Sequence, residues 1–122
     1  MPFIFKLRTL ATTTACATVA VAGLVSPALA QDRTDWLTPG GTTNTSGVFS
    51  EGENIYGTCD SDCTDLDMYL YDGYGNLVAE DTELDAYPIV TAPYTGEFYI
   101  EVTMPSCYAE ACYVEVSSDY GF

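Results

Sequence analysis

The chain has 122 residues, with 18 Asp and Glu against three Lys and Arg, no histidine and a formal charge of −15. That balance leaves no basic surface to displace phosphate counterions or to hold an anionic bilayer, which excludes nucleic acid and anionic membranes as partners. The missing histidine removes Ser-His and Cys-His catalytic machinery.

Lys6 and Arg8 make a short basic start, and the chain from Leu10 to Leu29 carries no charge. Ala28-Leu29-Ala30 then supplies a small-x-small cleavage pattern before polar Gln31-Asp32. Residues 1–30 are therefore expected to be a secretory signal peptide cleaved after Ala30, giving a secreted or periplasmic protein. The apolar stretch is about the length a bilayer needs, so a transmembrane anchor is the rival reading. Its threonines, Gly23, Pro27 and the cleavage pattern argue against an anchor. Cys16 does not read as a lipidation site, because Thr13-Thr14-Ala15 lacks the aliphatic residue that lipoprotein signals place three positions upstream. In the mature chain, Arg33 is the single basic residue against all 18 carboxylates, a formal −17. Such a chain repels itself on folding unless cations screen it.

Residues 31–46 are rich in Thr, Gly, Asn and Ser and read as a flexible leader, with Trp36 tucked onto the domain or turned to a partner. The domain proper is expected over 47–122. Asn54-Ile55-Tyr56-Gly57-Thr58 is the first expected strand. The clearest alternation follows, with Leu66, Met68 and Leu70 on one face and Asp67, Tyr69 and Tyr71 on the other. Asp72-Gly73-Tyr74-Gly75-Asn76 has hairpin composition, and Leu77 to Asp81 returns as the partner strand. Pro88 to Thr91 is a short strand whose proline suits a start or an edge. Phe98, Ile100 and Val102 form the inward face of a strand over 97–103, and Val114 and Val116 that of a last strand over 113–116. No helix is expected after residue 30. Short strands divided by turns at this spacing predict an all-β, small antiparallel β-sandwich.

A domain of this size buries only about 60–65% of its unfolded surface, and small extracellular domains commonly add covalent staples. Four cysteines follow the signal: Cys59, Cys63, Cys107 and Cys112. An even number in an exported chain predicts two disulfides. The local pairs Cys59–Cys63 and Cys107–Cys112 are favoured because each flanks a short loop. Cross-pairing stays open if the loops meet, and a zinc site is a remote alternative given the spacing and export.

Asp60, Asp62, Asp65 and Asp67 cluster around the first cysteine pair and are the candidate ligands for Ca2+, which takes six to eight oxygens in flexible geometry. The run is not an EF-hand, because Asp65 stands where the obligatory glycine belongs. The competing reading is a solvated acidic turn in which Asp65 and Asp67 cap backbone donors. Glu80, Asp81, Glu83 and Asp85 form a weaker second candidate. Tyr69, Tyr71, Tyr99 and Tyr113 fall on the outward parity, interleaved with carboxylates, and are the candidate ligand-binding face for extended peptides or sugar rings. Tyrosine's β-propensity alone is the plainer account of them.

Asp65-Leu66-Asp67-Met68-Tyr69-Leu70-Tyr71-Asp72, followed by Gly75-Asn76-Leu77-Val78-Ala79, resembles the D-x-D-hydrophobic-Y-hydrophobic-Y-D…G-N-hydrophobic-V pattern of the bacterial pre-peptidase C-terminal domain family. Thr95-Gly96-Glu97-Phe98-Tyr99-Ile100-Glu101-Val102 is similar to that family's G-x-Y-Y-hydrophobic-x-V strand, and the resemblance spans roughly residues 47–117. It implies a jelly-roll-like β-sandwich of the kind appended to secreted proteases and other hydrolases. Some such relatives bind calcium, and collagenase collagen-binding domains have a similar fold. Two departures are expected: no catalytic domain accompanies the module, and the acidic N-terminal segment with its first strand pair is missing or shortened. Calcium ligands of the relatives therefore do not transfer.

These readings converge on a secreted, non-catalytic binding or interaction module with an extracellular polymer or protein as partner. Two alternatives stand beside it. One is a small carboxylate-based hydrolase, since paired acids can cleave glycosides; the other is a structural, calcium-buffering surface protein.

Overall fold

The structure is a computed structural model that describes residues 32–122. The signal peptide expected over 1–30 lies outside the described residues. Eight strands follow in order: β1 Arg33–Leu37, β2 Thr42–Phe49, β3 Asn54–Cys59, β4 Cys63–Tyr71, β5 Leu77–Asp81, β6 Ile89–Thr91, β7 Gly96–Cys107 and β8 Cys112–Ser118. Among the described residues there is no helix.

The strands form two four-stranded antiparallel sheets, β1-β8-β3-β6 and β2-β7-β4-β5. Pairing runs β1 with β8, β2 with β7, β3 with β6 and β4 with β5. A long antiparallel ribbon rolled on itself produces this nesting, so the arrangement is a jelly-roll sandwich. Only β4 and β5 are consecutive partners within one sheet. Asp72 closes their hairpin, accepting from the backbone N–H groups of Tyr74 and Asn76 at 2.9 Å each. Gly75 there takes φ 87°, a left-handed conformation that glycine adopts without steric cost.

The core lies between the sheets, where period-two alternation puts it. Leu66, Met68 and Leu70 of β4 and Phe98, Ile100, Val102 and Met104 of β7 are essentially excluded from solvent. They face Ile55, Val114 and Val116 of the opposite sheet. Gly57 on β3 is buried for a specific reason: a Cβ there would sit 2.9 Å from the Met68 methyl and 2.9 Å from Pro88.

The flexible leader expected over 31–46 is, from residue 32 onward, not what the structure has. Its residues supply β1 and the first part of β2, in register with β8 and β7. Composition concealed both strands because each is an outermost strand. In β1 only Leu37 is buried, and β2 turns Thr43 and Thr45 inward where a core strand would carry aliphatic residues.

Both expected disulfides are formed and both are local: Cys59–Cys63 with Cα atoms 5.9 Å apart, and Cys107–Cys112 at 6.2 Å. Cys63 stands opposite Cys107 across β4 and β7, so the two loops do meet at one end of the sandwich.

Candidate binding face

The sheet β2-β7-β4-β5 turns its inner side to the core and its outer side to solvent. On the outer side the register lines residues up in rows. Tyr69 of β4 stands between Glu80 of β5 and Glu101 of β7, and Glu101 faces Asn44 of β2. In the next row Tyr71 stands between Leu77 and Tyr99, and Tyr99 faces Ser46. Tyr99 and Leu77 are 48% and 47% exposed, and Val48, opposite Glu97 on the β2 edge, is 70% exposed. The Tyr71 hydroxyl donates to Glu101 Oε1 at 3.1 Å.

Three of the four candidate tyrosines are thus brought together, with Tyr71 and Tyr99 as direct cross-strand neighbours. Burial, followed by the charges of Asp67, Glu80 and Glu101, pushes the Tyr69 phenol above its ordinary range. Burial, followed by the bond to Glu101, does the same for Tyr71. Both stay neutral donors at physiological pH, so the face presents phenol donors beside carboxylate acceptors.

Tyr113 is not part of this face. It lies on β8, in the other sheet, where it faces Trp36 of β1. The two rings meet edge to face at 5.3 Å, and Trp36 is 62% exposed. Strand parity cannot separate two sheets, because each has its own outward side. Leu77, Val48 and Glu80 complete the first face; Leu77 and Val48 were not singled out by alternation, and Glu80 was named only in the second acidic cluster, since all three reach the face through pairing.

The four candidate calcium ligands are also divided. Asp60 is engaged by backbone: its carboxylate accepts from Tyr113 N at 2.9 Å and from Asp62 N at 3.2 Å, while its own N–H donates to Tyr113 O at 3.0 Å. It extends the β3–β8 pairing past Cys59 and is the capping residue of the loop. Asp62 is exposed, and its carbonyl accepts from Tyr108 N at 2.8 Å. Asp65 and Asp67, for which capping of backbone donors was the alternative to calcium ligation, each have a buried Oδ1 with no hydrogen-bond partner.

Burial, then the charges of Asp65, Asp81 and Asp85, raises the Asp67 carboxyl above its ordinary value. The second acidic loop therefore bears on the first through Asp67. Asp81 accepts from Ile89 N at 2.9 Å and Asp85 from Tyr87 N at 2.9 Å, which ties that loop to the start of β6. Among the described residues, no three His, Cys, Asp or Glu side chains surround one point as a metal site would require.

No protein-family model matches the chain, and no curated protein matches it. Among solved structures the chain is similar to PliG of Aeromonas hydrophila, a periplasmic inhibitor of g-type lysozyme. The identity is 13%, over 73% of this chain and 85% of that one, with a TM-score of 0.46.

Proposed function

We propose that the protein is a secreted, non-catalytic binding module that takes an extended extracellular polymer or protein segment on the outer side of β2-β7-β4-β5. The observation that carries this reading is the paired row of Tyr71 and Tyr99, continued by Leu77 and bordered by Glu80 and Glu101. Aromatic rings give contact area at low entropic cost, and the neighbouring carboxylates orient hydroxyl or amine groups. The test is retention on insoluble cell-envelope and matrix polymers. Changing Tyr71 and Tyr99 to Ala should abolish retention while leaving the fold intact by circular dichroism. Equal retention of wild type and double variant on every fraction would refute the face.

A second reading concerns calcium and rests on the unpartnered oxygens of Asp65 and Asp67. A divalent cation drawn to them, with Asp81 and Asp85 closing from the neighbouring loop, would offset their mutual repulsion. Affinity would be of the weak extracellular kind, roughly 0.1–1 mM. Its measurement is a thermal melt with and without calcium; an unchanged melting temperature at low salt would sink it.

A further inference from the structure

The four outermost strands of the sandwich are not equally guarded. A free strand edge presents unpaired N–H and C=O groups, and proteins blunt such edges with charge, proline, bulges or shortness. The β6 strand has three residues and lies between Pro88 and Pro93. The β5 strand carries Glu80 and Asp81, and a register shift breaks its pairing beside Leu70 and Tyr71. The β1 strand has five residues, including Arg33 and Asp35. In contrast, β2 runs eight residues as Thr-Thr-Asn-Thr-Ser-Gly-Val-Phe, with no charge, no proline and an unbroken register on β7.

A cleft of about 310 Å³ opens beside that edge, between β2 and β1. Thr43 and Thr45 line it from β2, Arg33 and Asp35 from β1, and Val102, Val114 and Val116 of the core lie at its base. Arg33 is held over the Phe122 ring at 4.7 Å, and that ring packs on Phe49 at 5.2 Å, which closes the sandwich farther along β2. The opening is therefore bounded and its floor is apolar.

We propose that the β2 edge and this cleft form a docking site for an extended, cationic segment of a partner protein, joined by strand addition. Main-chain bonds along β2 supply affinity, and alternate side chains of the incoming strand select it. Those pointing inward meet the valine floor and are apolar. Those pointing outward run over Asn44 and Ser46 toward Glu101, two strand spacings or about 10 Å from the added strand, within the reach of a lysine or arginine. Charge favours this occupant over a second copy, since two chains of formal −17 repel each other while a basic segment is steered in. The edge meets the tyrosine face at Asn44, Ser46 and Glu101, but its main-chain bonds and its valine floor involve no tyrosine, so the two surfaces are tested separately.

The probe is an octapeptide alternating lysine and valine, titrated into the mature protein by NMR. Binding should protect from hydrogen exchange those amides within Thr42–Phe49 that point away from β7, alternate residues of β2. Two N-methylated peptides, blocked at odd or at even positions, keep the charge but remove amide donors. At least one should bind about tenfold or more weaker. Thr45→Arg should weaken binding by a similar factor, whereas Tyr74→Ala, in the β4–β5 hairpin at the opposite edge of the sheet, should not. The N-methyl comparison needs no variant, so a misfolded Thr45→Arg leaves the test intact. Several results would overturn the proposal: no binding, equal binding of all three peptides, or protection at β5 or β1 in place of β2. Concentration-dependent protection of β2 without peptide would also overturn it, by assigning the edge to self-association.

Discussion

Asp67 and Asp72 lie five positions apart in one strand and its turn, and their environments push them in opposite directions. The Asp72 carboxyl is held below its ordinary value, first by the Asn76 backbone N–H and then by Tyr74 and the Asn76 side chain. A depressed carboxyl adds stability above its unfolded value, about pH 4, and that stability is lost as pH falls through the folded value. Asp72→Ala should therefore lower the melting temperature at pH 7, with the difference from wild type vanishing in acid. For Asp67 the sign reverses, because burial and neighbouring aspartates raise it. A raised carboxyl favours the fold below its unfolded value, and that contribution disappears as pH rises through the folded one. Asp67→Asn should melt higher than wild type at pH 7, and the gain should shrink toward pH 4. If calcium occupies the group, roughly 1 mM of the ion should raise the melting temperature of wild type and raise that of Asp67→Asn less.

At the scale of elements, the contrast lies between core strands and outermost ones. From Leu66 to Leu70 in β4 and from Phe98 to Met104 in β7 every second side chain is buried, so their alternation is written plainly. In β3 the inward run Ile55, Gly57 includes a glycine because Met68 and Leu66 of the facing sheet and Pro88 beside it in the same sheet fill the space. Gly57→Leu should overpack that spot at a cost of about 1–3 kcal/mol. For a domain of this size each kcal/mol corresponds to about 4–8 °C of melting temperature, measurable by calorimetry. The outermost strands β1 and β2 contribute few core residues, and their place follows from hydrogen bonding to β8 and β7. Their amide groups, not their side-chain pattern, hold them in the fold, and in β2 the alternate amides that point away from β7 form the free edge.

For the whole molecule, charge and covalent closure dominate. Arg33 is the lone cation against 18 carboxylates over residues 31–122, so self-repulsion opposes compaction there. Raising ionic strength from about 0.01 to 0.15 M shortens the Debye length from about 30 to 8 Å and should raise the melting temperature. A melting temperature independent of salt would show that the carboxylates are too dispersed to matter. The two disulfides close loops of four and five residues of sequence separation. On the chain-entropy account, short loops of this kind contribute about 2 kcal/mol each. Replacing both cysteines of either pair with Ser should lower stability by that amount in a denaturant titration, without changing the strand order.

Alternation and turn composition were enough to determine an antiparallel sandwich and most of its inward residues, and cysteine parity favoured two local bridges without excluding cross-pairing, because these depend on near neighbours in sequence or on the two-residue pleat. The roles of Asp60 and Asp67, the separation of Tyr113 from the other tyrosines, and the strand character of 33–37 and 42–49 were decided only in three dimensions. Each depends on which distant strand lies alongside: Tyr113 beside Asp60, Asp85 beside Leu66, β8 beside β1. Period two reports that a side chain points away from a core but not from which sheet. Partners of the outermost strands are fixed by hydrogen bonds that every residue can make, and therefore leave no mark in composition.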